Sequence, residues 1–314
     1  MLRSLRSRVP QGVRSRVRAR IETVEVYLQY LRDARRYARL RTPLDWRLAE
    51  RKGPRYVECQ VVRDYHQVEK GLALPLPRRP FGAEVGERLE VLTQAADAIS
   101  DYMDCGRDAL AALRSWNGEG VLDDAVVPLG KPGAMAGPDV DALEAFFGSR
   151  HSVRNFEPNA PSVELLDRAV RIAMRSPSVC NRQASRVDFF YGHRAQELLA
   201  LQHGNRGFGD TVPCVAVVSV DARLFRGTGE RNQRWIDGGI FAMSLVWGLH
   251  AVGLSSCMLN WSRTEGASRR LRAAAALEDH FDVITFVAVG HAAAGTRVTR
   301  SARRPLSQVS FHHE

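Results

Sequence analysis

The stretch over residues 237–252 constrains the fold of this chain more than any other. It is apolar on every side of a helix, and Gly238, Gly239 and Gly248 would let another element approach closely. A helix of this kind lies at the centre of a domain or of a dimer, because no side of it favours contact with water. We therefore expect it to be buried on all sides.

Two apolar, β-branched runs, at 214–220 and 283–289, predict buried strands. An alternating run at 186–191 predicts a further strand, and 254–261 predicts a strand and loop after the long helix. The regular strand–helix spacing of a doubly wound sheet is missing, and no GxGxxG or P-loop motif occurs. The expected fold class is α+β, with a small sheet flanked by helices.

Composition divides the 314 residues into three regions. Residues 1–56 form a basic arm, flexible over 1–20, followed by an amphipathic helix. Residues 57–138 form a helical extension that ends in a Gly/Pro-rich linker, and residues 139–314 form the main domain. No apolar run is long enough to span a bilayer. Five scattered cysteines without a CxxC motif fit a reducing compartment, so we expect a cytoplasmic protein without a metal site.

The net charge of +10 is concentrated at one end of the chain. Residues 1–56 hold fifteen Arg and one Lys against five acids, a balance of +11, so the rest of the chain sums to −1. A core that binds nucleic acid is therefore not expected. The helix at 21–41 has Ile21, Val24 and Leu31 on one face and arginines on the other. We expect it to pack on the rest of the protein; weak contact with a membrane surface, as a peripheral protein, is the alternative.

A segment at 149–156 carries polar residues at alternate positions, Arg150, Ser152 and Arg154. Alternation puts the three side chains on one side of an extended segment. Arginine clasps a phosphate through two parallel charge-assisted bonds, and serine adds a short donor between the two long arms. The hypothesis is a phosphate site, and the alternative is a solvated basic loop.

Polar residues cluster at two further places. The loop at 176–183 has too many hydrogen-bonding side chains to be a simple connector. In the extension, His66 and Glu69 share one helix face. They could form a catalytic pair, but we favour a structural salt link to Lys70 or Arg63.

Four segments, in this order, resemble the flavin-dependent nitroreductase superfamily. They are the Arg-x-Ser-x-Arg stretch at 150–154, the loop at 176–183, the long helix and following strand at 237–258, and the last strand with its basic tail at 289–306. The resemblance covers roughly residues 143–310, in a long form with a helical N-terminal extension. It implies a mixed, mainly antiparallel sheet around the long central helix. It also implies an FMN-binding homodimer with active sites at the subunit interface.

The resemblance assigns FMN binding to a set of polar and backbone-presenting positions. Arg150 and Ser152 would bind the phosphate, and Arg154 would reach the ribityl chain or the pyrimidine edge. Asn181, with Gln183, would hydrogen-bond the ring. The full set is Arg150, His151, Ser152, Arg154, Pro177, Ser178, Asn181, Gln183, Met258, Leu259, Asn260, Arg303 and Arg304.

One member of the pair Arg303 and Arg304 would close on the phosphate, and spacing does not choose between them. Residues 258–261 would lie over the ring near its reactive nitrogen, through backbone N–H groups. Asn260 and Trp261 are therefore the candidates nearest the chemistry. The Trp261 ring would narrow the substrate pocket or stack in it.

The function that the resemblance implies is an FMN-dependent oxidoreductase. It would use NADPH or NADH to reduce a nitro, quinone or similar small acceptor by ping-pong hydride transfer. Two alternatives stay open. The flavin could serve substrate dehydrogenation, dehalogenation or flavin turnover in a biosynthetic pathway such as polysaccharide synthesis. The protein could also be a non-catalytic flavin-fold scaffold with a membrane- or partner-binding arm.

Overall fold

The structure is a computed structural model that describes residues 11–95, 101–130 and 139–313. Its helices are α1 (Gln11–Leu40), α2 (Trp46–Lys52), α3 (Pro54–Leu72), α4 (Ala83–Ala95), α5 (Asp101–Glu119), α6 (Val140–Ser149), α7 (Val163–Ala173), α8 (Gly192–Leu201), α9 (Gln233–Ala251) and α10 (Glu265–Ala274). Its strands are β1 (Ser185–Tyr191), β2 (Cys214–Asp221), β3 (Ser255–Asn260) and β4 (Phe281–Gly290).

Helix α1 begins at Gln11, inside the stretch that the sequence predicts to be flexible. The first ten residues of the predicted arm, and residues 131–138 of the predicted linker, lie outside the described residues. No helix in the described part of the chain is both long and apolar enough to cross a membrane.

The four strands form one antiparallel sheet in the order β1-β2-β4-β3. A short parallel contact extends its outer edge, where Ser152 pairs with Ser256 of β3. The sheet is thus mixed but mainly antiparallel, and the predicted α+β class is confirmed. A register shift between Val218 and Ser219 interrupts the pairing of β2 with β4.

Strands β2 and β4 are covered on both faces. On one face, Val215 and Val217 pack in an apolar cluster with residues of α8 and α10. On the other face, Ala216 and Val218 pack with residues of α7 and α9. Because both faces are apolar, these strands are continuous hydrophobic runs rather than alternating ones.

Helix α9 approaches its neighbours closely through glycine. A Cβ on Gly238 would lie 2.5 Å from the side chain of Ile284 in β4. A Cβ on Gly248 would collide with the backbone of Ala169 in α7. The small residues noted in the sequence therefore let α9 lie against both the sheet and α7.

One side of α9 is exposed, which corrects the prediction that this helix is buried all round. Trp235, Ile236 and Ile240 are 45%, 52% and 38% exposed. Ile236 and Ile240 are one turn apart and share a helix face, whereas Trp235 lies to one side of it, toward helix α1. Apolar character shows that a helix face avoids water, but it does not show whether the same chain or a second chain covers it.

Helix α1 packs on the main domain, as the sequence predicts, but it does so through arginine and not through its apolar face. Arg36 is buried, with its Nε 2.9 Å from Asp282 Oδ1 and its Nη1 3.1 Å from Asp279 Oδ1. By contrast, Ile21 and Val24 are more than half exposed. The main domain presents carboxylates to this helix, so guanidinium groups dock there and the apolar side chains do not.

Helices α3, α4 and α5 form a bundle with its own apolar core, which includes Val61, Leu89 and Leu113. Helix α3 joins this bundle to the main domain. Its Arg55 Nε donates to Asp221 Oδ2 at 2.9 Å, at the end of β2. An apolar cluster with residues from both regions reinforces the joint. The extension is therefore fixed against one end of the sheet.

Replacing Gly238 by alanine should destabilise the protein, because the new Cβ would meet Ile284 at 2.5 Å. We expect the free energy of unfolding to fall by about 1–3 kcal/mol, the usual cost of overpacking a core. Gly239 is the matched control, since a Cβ there meets nothing within 4 Å. Gly239→Ala should instead raise the free energy of unfolding by about 0.5–1 kcal/mol. Urea denaturation measures both, and equal effects would contradict this packing.

Candidate functional site

The opening segment of the main domain, residues 150–156, runs along the free edge of β3. Ser152 pairs with Ser256, and the Val153 N–H donates to the Ser256 carbonyl at 3.0 Å. Val153 is buried in the core, so the polar side chains on either side of it point the other way. His151 is half-buried and forms no hydrogen bond with the described residues. The local structure thus has the alternation that the sequence predicts.

The polar side chains Arg150, Ser152 and Arg154 surround the thiol of Cys257. Burial raises the pKa of this thiol, while Arg154, a hydrogen bond with Ser152 and Arg150 act in the opposite direction. Within the described residues neither arginine forms an ion pair. Arg154 Nη1 lies 3.5 Å from the Ser152 carbonyl, and Arg150 lies 5.8 Å from the centre of the Trp247 ring. Two uncompensated guanidinium groups beside a hydroxyl suit a phosphate.

Strand β3 exposes alternate side chains. Met258 and Asn260 are exposed, whereas Leu259 and Trp261 are buried. The Trp261 ring packs on Phe286, with ring centres 5.3 Å apart. Alternation thus turns most of the Trp261 ring toward the core, and its remaining surface borders a cavity that Asn260 also lines. Leu259 likewise offers only its backbone on the outer side. That the Trp261 ring narrows the substrate pocket or stacks in it stays a prediction.

The second polar loop, residues 176–183, has an unusual backbone. Cys180, Asn181 and Gln183 have φ angles of 48°, 52° and 48°. This left-handed region costs a residue with a Cβ roughly 1–2 kcal/mol. Ser178 supports the loop, since its carbonyl accepts from Asn181 N–H and its Oγ accepts from Gln183 N–H, both at 3.0 Å. Such strain persists only where the surroundings hold it, and it is frequent at functional sites.

Arg182 is the buried anchor of this loop, and nothing in the sequence singles it out. Its two Nη atoms donate to the two carboxylate oxygens of Glu230, each at 2.6 Å, and Nη1 donates to the Leu224 carbonyl at 2.7 Å. Burial alone would lower the pKa of Arg182, but Glu230 outweighs burial and raises it. The same pair lowers the pKa of Glu230 against the effect of burial. Both groups stay charged, so the pair fixes the loop from within.

A cavity of about 540 Å³ lies between the extension and this loop. We call it the extension cavity; it is lined by Tyr65, Glu69, Asp101, Tyr102, Cys105, Asn181 and Gln183. A neighbouring cavity of about 330 Å³ shares Tyr102 and Gln183 with it and is also lined by Pro177 and Ser178. Helices of the extension therefore form a wall around the second motif.

Glu69 forms a pair with His66, with 3.5 Å between His66 Nδ1 and Glu69 Oε2. Burial raises the pKa of the Glu69 carboxyl, and the nearby His66 partly opposes this. Among the residues that the structure describes, the favoured salt link to Arg63 or Lys70 does not form. Arg63 pairs instead with Asp64 at 3.0 Å.

A larger cavity, of about 1080 Å³, lies between α1 and the main domain. The residues on its domain side include Asn260 and Trp235, and those on its α1 side include Gln29 and Asp33. Gln29 Oε1 is buried there without a hydrogen-bond partner among the described residues. Burial raises the pKa of Asp33. We call this space the α1 cavity; it places the end of β3 under the N-terminal helix.

The two motifs lie at opposite corners of the sheet. Through the strand ladder, Ser185, just after the second loop, is level with Asp282 of β4, whereas Ser152 is level with Val289. The seven residues between these levels span ~23 Å, and four strand spacings add ~19 Å across the sheet. The motifs are therefore roughly 30 Å apart. One chain does not bring the predicted phosphate and ring residues together.

Arg303 and Arg304 lie in the exposed tail after β4. The tail starts beside the opening segment, where the Ala293 N–H donates to the Asn155 carbonyl at 3.1 Å. Further along, Arg303 Nη1 donates to the Ser301 carbonyl at 2.5 Å. In the described chain, neither arginine contacts the polar side chains of the opening segment. The structure does not choose between the two.

Solved structures of nitroreductases are similar to this chain at low identity. A nitroreductase family protein from Streptococcus pneumoniae TIGR4 is 16% identical, with a TM-score of 0.47 and coverage of 55% of this chain and 100% of that one. An FMN-dependent nitroreductase from Clostridium difficile R20291 is 19% identical, with a TM-score of 0.45 and coverage of 54% and 98%. A mutant of the FMN- and NADPH-dependent nitroreductase NfnB from Sphigopyxis sp. strain HMH is 22% identical, with a TM-score of 0.45 and coverage of 54% and 97%.

A search of curated proteins finds no match. The model of the nitroreductase family matches residues 148–192, which include both the opening segment and the second polar loop. Through residues 148–192, therefore, the chain matches the nitroreductase family, as its sequence motifs predict.

Proposed function

We propose that this protein is an FMN-dependent oxidoreductase that uses NADPH or NADH to reduce a small nitro, quinone or similar acceptor. The observation that carries the proposal is the pair Arg150 and Arg154, which flank Ser152 and lack a carboxylate partner among the described residues. Two cations and a hydroxyl fit a phosphate monoester in charge and in donor number. The match of this segment to the nitroreductase family supports the same cofactor.

The edge of β3 fits the remainder of an FMN molecule. From Ser256, which is level with Ser152, to Asn260 the strand runs for ~13 Å. Beyond Ser256, where the opening segment pairs with β3, no described strand covers this edge, so the exposed side chain of Met258 and the outward backbone N–H groups are available. Arg154 lies at the same edge, and a cation there would stabilise the negative charge that a flavin ring gains on reduction. The FMN supplies the hydride chemistry, and these residues bind and orient it.

A second copy of the chain would complete the site. Asn181 and Gln183 are the side chains that the resemblance assigns to the flavin ring, yet they lie at the far corner of the sheet. The exposed apolar face of α9, which includes Ile236 and Ile240, offers a surface for a partner. In a symmetric homodimer, the second loop of one protomer would meet the opening segment of the other. We therefore propose two equivalent sites between protomers.

A different flavin chemistry is the second candidate, and the extension favours it. The extension cavity and the α1 cavity are both walled by helices that precede the main domain. Substrate dehydrogenation, dehalogenation or flavin turnover each requires a substrate held in one pose, and such walls would provide it. The two candidates share the FMN site and differ in what reduces the flavin.

Purified protein should carry FMN, visible as flavin absorption. Under anaerobic conditions, NADPH or NADH should bleach this absorption, because the nicotinamide gives its hydride to the flavin. A colourless protein that cannot be loaded with FMN would contradict both candidates. A flavin that stays oxidised with both nucleotides would exclude the first candidate and leave the second.

Arg150→Ala should weaken FMN binding by about 10- to 150-fold, because a charged hydrogen bond contributes roughly 1.5–3 kcal/mol. Arg168→Ala is the control, since Arg168 is exposed on α7 and forms no ion pair with the described residues. Titration of the FMN-free protein, followed by flavin fluorescence, measures both affinities. Equal affinity of the two variants would refute the assignment of the phosphate site.

Ile240→Glu should dissociate the proposed homodimer, because a carboxylate in the centre of an apolar interface loses its hydration. The same variant should bind FMN more weakly, since the ring residues come from the partner. Val163→Glu, at another exposed apolar position on α7, is the control. Light scattering gives the mass of each variant. A wild-type monomer that holds FMN tightly would exclude the shared site.

A further inference from the structure

The extension cavity contains groups for which the proposed FMN site has no use. Tyr65 lines it and is only 4% exposed, and its hydroxyl has no hydrogen-bond partner among the described residues. Although the residue is buried as a whole, its hydroxyl oxygen is accessible from the cavity. The hydroxyl is therefore free to donate a hydrogen bond to a ligand that enters the cavity.

Glu69 is the second such group. It follows Tyr65 by one helical turn on α3 and lines the same cavity. Because burial raises the pKa of its carboxyl, Glu69 keeps its proton to a higher pH than an exposed glutamate does. In that form it donates a hydrogen bond instead of accepting one. His66 Nδ1 lies 3.5 Å from the Glu69 carboxylate oxygen Oε2, and the two side chains are 37% and 35% exposed, so solvent also reaches this carboxyl directly.

The groups that face Glu69 across the cavity decide which ligand fits. They are Asp101, Tyr102 and Cys105 of α5, and no lysine or arginine lines the described cavity. Burial, together with the nearby Cys105 and Glu69, raises the pKa of Tyr65, so its hydroxyl stays a donor. The cavity thus offers O–H donors while its charge disfavours anions. A neutral compound with an acceptor oxygen meets both conditions.

The remaining wall links this cavity to the flavin. Asn181 and Gln183 line it from the second loop. In the proposed homodimer, these two side chains lie beside the FMN held by the opening segment of the partner subunit. A ligand in the extension cavity would then be next to the flavin ring. At about 540 Å³, the cavity is large enough for a small ring compound.

We propose that the extension cavity is the pocket for the acceptor substrate, a neutral quinone-type or nitro-type oxygen compound to which Tyr65 and Glu69 donate hydrogen bonds. Glu69 also supplies the proton that the substrate oxygen takes up. This proposal rests on the proposed FMN function. It assigns the extension to catalysis and substrate choice.

With a quinone as the acceptor, the electrons and protons are all accounted for. Its two-electron reduction to a hydroquinone takes up one hydride and one proton. The hydride derives from NADPH or NADH through the flavin, and the proton leaves the Glu69 carboxyl for the quinone oxygen. The carboxylate that remains takes up a proton from solvent, to which the Glu69 side chain is partly exposed.

Binding of duroquinone to the oxidised, full-length protein tests the pocket without turnover. Tyr65→Phe keeps the ring and removes the hydroxyl, so the Kd for duroquinone should rise about three- to tenfold. Tyr27→Phe is the control, because Tyr27 is exposed on α1 and lies outside the cavity. Quenching of protein fluorescence gives the Kd, with FMN bound and with FMN removed.

Glu69→Gln separates proton supply from binding, because the amide still donates a hydrogen bond. Its duroquinone Kd should stay within about twofold of the wild-type value. Reoxidation of the reduced protein by duroquinone should slow by about 100-fold or more, because a general acid typically accelerates a reaction by at least this factor. In the wild type this rate should fall as the pH rises through the raised pKa of Glu69, and in Glu69→Gln that fall should vanish. Glu87→Gln, an exposed position on α4, is the control.

The outcomes distinguish this proposal from the FMN assignment. If both variants hold FMN normally but neither the duroquinone Kd of Tyr65→Phe nor the pH profile of Glu69→Gln changes, the cavity is not the acceptor pocket. The FMN assignment would then stand. If the protein binds no FMN, both the proposed function and the proton transfer from Glu69 are refuted. A Tyr65→Phe effect on the Kd of the FMN-free protein would still support the pocket, and no effect would overturn it.

Discussion

Burial of β2 and β4 on both faces decides where this protein can carry chemistry. All eight residues of β2 are buried, and removal of such apolar surface from water is the dominant favourable term in folding. The centre of the sheet therefore holds few polar side chains, and those, such as Ser219 and Thr285, are buried away from any ligand. The polar side chains of the two motifs lie at its corners, in the opening segment beside β3 and in the loop that precedes β1. At both corners the backbone leaves the sheet, and side chains are free to contact a ligand.

The helices that precede the main domain are attached to it at carboxylates near the ends of the central strands. Asp221 at the end of β2 pairs with Arg55, and Asp282 at the start of β4 pairs with Arg36, each at 2.9 Å. A buried ion pair adds little net stability, because desolvation offsets the attraction, but loss of one partner is costly. These pairs therefore specify position more than they add strength. They hold the N-terminal helices in one position on the main domain, and these helices form walls of both cavities.

Some of this architecture follows from sequence because its cause is local. Apolar runs located the central helix and strands, and alternation predicted which side of the opening segment is polar. The orientation of Trp261 is harder to predict, since one residue of shift along a strand exchanges core and solvent faces. The partners of Arg182 and Arg36 were out of reach, because they lie 48 and 246 positions away and charged residues are usually exposed. The distance between the two motifs could not be predicted, because it depends on the order of the strands in the sheet, and hydrophobic periodicity does not indicate that order.

The link between Arg36 and Asp282 also has a consequence for synthesis. A ribosome adds about 5–20 residues per second, so the partner of Arg36 follows it by roughly 12–50 s. Until then helix α1 has no carboxylate on the main domain with which Arg36 can pair. Its apolar side chains, among them Leu28 and Leu31, remain exposed even afterwards. Helix α1 is synthesised early but packs late. Its apolar side chains can therefore bind chaperones or other nascent chains during most of translation.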